Sequence, residues 1–240
     1  MYKRQDLYNV GFAGGILAFA YFSIFKLLDI EYTTNLIYTN DQHLLLLYLY
    51  IAICLLFIVV GVILNDKPLK EYFMITKLSG RAVTDFTRKS NQPLTMFNIG
   101  VTGLAALVVL LILNVHMNGP VFGGLMTIVG FSAFGKHPRN VLPPMIGVLL
   151  VTLIFSIPLS VPVVLAIIFS TALAPIAGEH GFIIGVLSGM LHLPIVTSLG
   201  QLHGGVLLYS NGFAAAFTAV IFITVIHTFE RSRNNGATRV

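Results

Sequence analysis

Five uncharged polar side chains stand in otherwise apolar surroundings: Asn98 in FNIG, Asn118 in NGPVFGG, Gln201 and His203 in SLGQLHGG, and Asn211 in YSNGF. Amide and imidazole groups exchange hydrogen bonds with a small neutral or weakly polar solute, and this chemistry predicts a substrate pathway along them. A second set, Glu179 and His180 in AGEHG with His192 in MLHLP, has the residue types of a proton relay. Glu179 has a second reading as a cap on the helix that follows it. A nucleophile is not indicated, because Ser156, Ser188 and Ser198 lack a GxSxG elbow. There is no HExxH pair, no cysteine pair and no GxxxxGK[ST] loop, so no metal, cofactor or nucleotide is expected.

The elements that carry these groups are membrane helices. From Leu94 to Phe229 the formal charges are Lys136, Arg139 and Glu179 alone, whereas roughly a quarter of the residues of a soluble domain are charged. Across 240 residues the chain is 56% hydrophobic and 10% charged, with a mean hydropathy of +0.89. A crossing helix needs about 20 apolar residues. The runs that qualify or nearly do are Leu7–Phe25, Leu44–Leu64, Leu94–Leu113, Val121–Phe134, Leu142–Ile157, Val161–Ala177, Phe182–Leu199 and Val206–Phe229. The expected fold is therefore all-α, a polytopic helical membrane protein of about eight crossings, with some helices short or broken. Pro194 and two glycines place one break in the seventh run.

Charge orients the runs. Asp66–Lys89 holds Lys67, Lys70, Lys77, Arg81, Arg88 and Lys89, while Asp29–Asp41 holds acids and no base. The positive-inside rule then puts the first segment, GKHPRN and the Arg-containing tail in the cytoplasm. The expected location is the cell membrane, with both covered termini cytoplasmic. The net charge of +5 sits in these flanks and forms no basic stripe, which argues against nucleic acid. The partners expected are the lipid bilayer, a small solute and, in one arrangement, further copies of the chain as a homo-oligomer.

Residues 6–240 read as one helical membrane domain, with 66–93 a cytoplasmic amphipathic connection and 230–240 a basic tail. Ile75, Leu78, Ala82 and Phe86 recur at helical spacing in the connection, which reads first as a linker lying on the headgroups and otherwise as a regulatory or lipid-sensing amphipathic helix. The first five residues, MYKRQ, match a literal translation of ATG-TAT-AAG-AGA-CAG, a transposon-end sequence of sequencing libraries. Residues 1–5 are expected to be a sequencing artefact, and the N-terminus truncated.

Three helix openings are alike: YNVGFAGG from Tyr8, FNIGVTGL from Phe97 and YSNGFAAA from Tyr209. In the topology above the third runs opposite to the first two, as inverted repeats do. Gly181, Gly185 and Gly189, four residues apart, predict a smooth face for close helix packing.

FNIGVTGLAAL, NGPVFGGLMTIVGFSAFGKHPRN and HLPIVTSLGQLHGGVLLYSNGFAAAF resemble a family of uncharacterised multi-pass prokaryotic membrane proteins, carried as a domain of unknown function. The resemblance runs from about Asp6 to Arg231. It implies membrane localisation and longer members with duplicated halves, and it brings no activity, cofactor or catalytic residue. NGF, NIG and NGP also resemble, more loosely, the helix openings of urea-transporter-type channels. The function expected is a channel or secondary transporter for a small neutral or weakly polar solute. The other readings are an intramembrane enzyme using Glu179, His180, His192 or His203, and a structural or assembly subunit.

Overall fold

The computed structural model describes residues 10–30, 37–66, 69–80, 85–200, 202 and 211–237. Among them the chain is helical, with no strand. Met1–Gln5, Gln201, His203 and residues 238–240 lie outside the described residues, so the expectations placed on them stand as stated.

The helices are α1 (Val10–Leu27), α2 (His43–Ile63), the single turns α3 (Tyr72–Ile75) and α4 (Phe86–Lys89), α5 (Gln92–Ile112), α6 (Gly119–Phe131), α7 (Pro138–Ile154), α8 (Val161–Phe169), α9 (Ala174–His180), α10 (Phe182–Gly200) and α11 (Asn211–Ala237). Five of the described segments are long and apolar enough to cross a membrane: His43–Ile63, Gln92–Ile112, Val161–His180, Phe182–Gly200 and Asn211–Phe229. Gly11–Leu27, Gly119–Phe131 and Pro138–Ile154 are shorter apolar helices. Each of the eight apolar runs has a helix, and the protein is a membrane-embedded helical bundle. Leu45, Leu55, Leu56 and Ile63 of α2 are exposed, which suits lipid and not water.

Proline places many of the starts. A proline occupies the first or second position of α5, α6, α7, α8 and α9, where its missing N–H has no intrahelical partner to lose. Asn91 and Asn118 cap α5 and α6 by accepting from Leu94 N at 2.8 Å and Val121 N at 3.1 Å. α7 opens at Pro138, four residues ahead of the expected Leu142, because Asn140 reaches back to accept from His137 N at 2.9 Å.

The break falls in a different run from the one expected. α10 continues through Pro194, since exposed backbone inside a bilayer is costlier than one missing hydrogen bond. The sixth run breaks instead: α8 ends at Phe169, a 3-10 turn covers Ser170–Leu173, and α9 follows. Ser170 Oγ and Thr171 Oγ1 donate to the carbonyls of Ile167 and Ile168, both at 2.7 Å. Pro175, four residues after Thr171, has no N–H to return to that residue's carbonyl. Competing hydroxyls and the missing donor act at one point, and the ladder reorganises.

Close packing follows the small residues. α7 and α10 meet along Gly147, Gly185 and Gly189: a methyl group on Gly189 would strike the Pro144 carbonyl, and one on Gly185 would lie 2.8 Å from Pro143 Cβ. Gly181 does not share this face. Its φ of 90° turns the chain between α9 and α10, and a side chain there would meet open space. The aligned glycines of two helix openings meet each other: a Cβ on Gly11 would lie 2.9 Å from Gly212 Cα, and one on Gly212 would lie 2.9 Å from Gly11 Cα. The third, Gly100, packs against Ile58 and the Cys54 carbonyl of α2.

The described residues of the connection after α2 form a strap packed on the end of the bundle, and Ala82 of the spaced set lies outside the described residues. Gly80, at φ 73°, interrupts the pattern. Ile75 and Phe86 are both buried, in one cluster with Leu94. Phe86 N donates to the Ala133 carbonyl at 3.3 Å. The apolar spacing was real, and its target is the end of the bundle.

Candidate functional site

The two ends of α6 carry most of the polar structure. They stand apart by its length, about 20 Å for thirteen residues at 1.5 Å each.

At the N-terminal end lies a cavity of about 200 Å³. α5 finishes just above it, where Asn114 takes φ 52°, a conformation asparagine tolerates better than most residues. Asn118 closes the first turn of α6 through Oδ1, while its Nδ2 donates to Asn40 Oδ1 at 3.3 Å. Met117 N donates to His43 Nδ1 at 2.7 Å, and the His43 ring meets His116 edge-on, centroids 5.0 Å apart. α8 begins at the same cavity with Ser160 as its N-cap residue. The polar lining is Tyr38, Asn40, Asn114, His116, Asn118 and Ser160, and no Asp, Glu, Lys or Arg contributes among the described residues. Two helix N-termini thus direct partial positive charge into a cavity lined by amide, imidazole and hydroxyl groups.

At the C-terminal end the polar groups are packed together with little space. Asn98 is fully buried; its Nδ2 donates to the Ser132 carbonyl at 2.7 Å and the Lys136 carbonyl at 2.8 Å, and its Oδ1 accepts from Thr102 at 3.3 Å. That one amide satisfies carbonyls that the end of α6 would otherwise leave open. Lys136 is 3% exposed. Its Nζ donates to Thr171 Oγ1 at 2.9 Å, in the 3-10 break, and lies 5.1 Å from the centre of the Phe131 ring. Burial pushes this amine down from its ordinary 10.5 to about 7. His137 beside it is buried, and its Nε2 lies 2.9 Å from the Leu78 carbonyl. A carbonyl can only accept, so Nε2 carries the proton. Burial, with a smaller contribution from Arg139, lowers the imidazole pKa against the opposing effect of the Leu78 bond. The strap covers this end: Gly80 presses on Gly135, and Ser79 on Gly178.

The residues expected to form one pathway are therefore distributed. Asn118 is at the cavity and Asn98 at the far end of α6. Asn211 is buried elsewhere, with Oδ1 3.2 Å from His192 Nε2. The set expected to relay protons is not assembled. Glu179 and His180 occupy the last turn of α9, with Glu179 exposed. His192 stands ten residues into α10, about 15 Å of helix rise away. No group of three His, Cys, Asp or Glu able to hold a metal occurs among the described residues.

Sequence reasoning missed Asn40, His43 and Ser160 as companions of Asn118, and it treated Lys136 only as an orientation marker. The signal for Lys136 was its place as the sole lysine between two apolar runs, next to a glycine and a helix-opening HP pair. Nothing in the sequence paired Asn40 with Asn118.

Residues 64–228 match the family described as "Protein of unknown function (DUF1576)", and the chain belongs to that family. No curated protein and no solved structure matches it.

Proposed function

Taking that membership as the premise, we propose that the protein is a channel or secondary transporter for a small neutral or weakly polar solute. In this reading it is a polytopic protein of the cell membrane, with the connection after α2 and the α6–α7 turn in the cytoplasm. The cavity then faces outward and the Lys136 end inward.

The observation that carries the reading is the lining of the cavity. A permanent ion held near membrane depth normally has an opposite charge or coordinating oxygens arranged around it. Here the groups are hydrogen-bond donors and acceptors without formal charge, at the openings of two short helices. At roughly 30 Å³ of liquid per water, the space suits one solute of a few heavy atoms. The opposite end is closed by Asn98, Lys136 and the strap, so passage requires that end to open, as in alternating access.

Stopped-flow flux of a panel of small neutral solutes into proteoliposomes tests the function. Asn118→Leu and Asn40→Leu are expected to reduce flux of the conducted solute by at least about tenfold, the equivalent of one lost hydrogen bond to a desolvated polar group. A protein that conducts none of the panel, or variants that conduct like wild type, would remove the proposal. Orientation is read separately. An impermeant thiol reagent should label Asp41→Cys and not Lys89→Cys in intact cells, with Cys54 buried and silent.

A further inference from the structure

We propose that Lys136 is a proton-binding site, whose neutral amine latches the inner end shut against the broken α8–α9 helix and whose protonation releases that latch.

The geometry comes first. Lys136 sits on the turn that joins α6 to α7, and its side chain runs inward, not out to water as lysines at membrane surfaces do. The amine ends at Thr171 Oγ1, inside the one reorganised turn of the α8–α9 segment. Ser170 and Thr171 are fully buried there, their hydroxyls occupied with Ile167 and Ile168. The α6–α7 turn is gripped by Asn98 through the Lys136 carbonyl and by Asn140 through the Gly135 carbonyl. The strap seats on it at Gly80 and bonds His137 through Leu78. Withdrawing Lys136 toward water therefore disturbs the 3-10 break, the α6–α7 turn and the strap together.

The charge argument sets the direction. A neutral amine donates to Thr171 at little cost, while an ammonium at this depth loses most of its hydration; the Phe131 face returns only part of it. The amine binds its proton with a pKa of about 7 in the closed state, against about 10.4 for a lysine in water. The proton thus prefers any state in which Lys136 is wetter, and linkage requires protonation to favour that state. Above pH 7 each unit lowers the open population by up to about tenfold, and below pH 7 the open population is level.

Among the described residues, the surrounding groups do not reverse this. α5, α6, α8 and the 3-10 turn contain no titratable side chain. On α7, His137 is buried with its own pKa depressed, so its protonation opposes closure in the same sense, and Arg139 is exposed. Glu179 of α9, Lys77 of the strap, and Arg88 and Lys89 of α4 are exposed, and Asp85 pairs with Arg88 at 3.4 Å. Of the histidines on helices packed against the break, His180 is half-buried at the end of α9, His192 bonds Asn211 and His227 is exposed.

The site stands whether or not the outer cavity conducts, so its test uses no flux. Hydrogen–deuterium exchange of the 170–173 and 72–80 segments is followed in the full chain in nanodiscs from pH 6 to 9, corrected for intrinsic exchange. Wild type should show level protection below pH 7, and protection rising by up to about tenfold per unit above it. Lys136→Met should be well protected throughout, and Lys136→Arg, which cannot lose its charge, poorly protected throughout. Wild-type protection that ignores pH, or a methionine variant that follows wild type, overturns the proposal. Should the arginine variant fail to fold, nitrogen NMR of the Lys136 amine in wild type decides directly: titration near 7 supports the latch, and titration near 10 refutes it.

Discussion

The two ends of α6 are made from similar materials and do opposite things. Each has a buried asparagine. At the N-terminal end Asn118 spends one oxygen on its own helix and points its amide at Asn40 across a cavity of about 200 Å³. At the C-terminal end Asn98 spends both amide hydrogens on carbonyls of the α6–α7 turn and is fully enclosed. Helix polarity accounts for the difference. An N-terminus offers N–H groups that a short cap can serve, leaving room for a guest. A C-terminus offers carbonyls, and here the amides of Asn98 and Asn140 converge to cover those of the α6–α7 turn. One end is open and uncharged; the other is closed around an amine.

The largest effect should come from separating the helices that hold the closed end. Gly185→Leu drives a side chain into Ala177 and Pro143 and is expected to cost about 3 kcal/mol or more. The readout is the temperature at which buried Cys54 becomes reactive to a thiol dye. An unchanged midpoint would mean that α7 and α10 do not meet there. Asn98→Leu comes next: it strips two buried carbonyls of their donor, a loss of about 2–3 kcal/mol, and exchange should rise at 132–136 while the Asn118 end is unaffected. If both ends loosen equally, the ends are not independent.

Per pH unit, the pH dependence of stability is smaller. Because the folded pKa of Lys136 is lowered to about 7, the unfolded chain holds more protons between pH 7 and about 10.5. Stability should therefore rise with pH through that window, by at most about 1.4 kcal/mol per unit, and Lys136→Met should flatten the profile. The smallest change in stability belongs to Asn118→Ala, about 1 kcal/mol for a lost cap, together with the flux defect proposed for the cavity. A stability loss as large as that of Asn98→Leu would show Asn118 to be a clamp as well.

Much of the architecture was legible along the chain. Apolar runs gave eight helices because a bilayer admits no other solution for their backbone, and Pro and Asn marked their starts because they act on the nearest turn. The site was legible only in part. Asn118 could be read as a cap at NGP, but Asn40 lies 78 residues away and His43 74 residues from the backbone it bonds. Ser79-Gly80 was visible as an interruption, while the surface it docks on was not. The position of the helix break was misread because Pro194 is conspicuous, whereas the effective cause was the combination of Ser170, Thr171 and Pro175.

By itself the sequence determined a membrane-embedded, all-helical protein, where most of its helices begin, and that glycines four residues apart, Gly185 and Gly189 among them, permit close contact. These follow from local rules: hydropathy against bilayer thickness, the missing N–H of proline, the absent side chain of glycine. Only the tertiary structure decided that an arginine three residues from Lys136 stays in water while Lys136 turns inward to Thr171. A lysine's fate depends on what its four-carbon stem can reach, and that is set by helices distant in sequence and close in space.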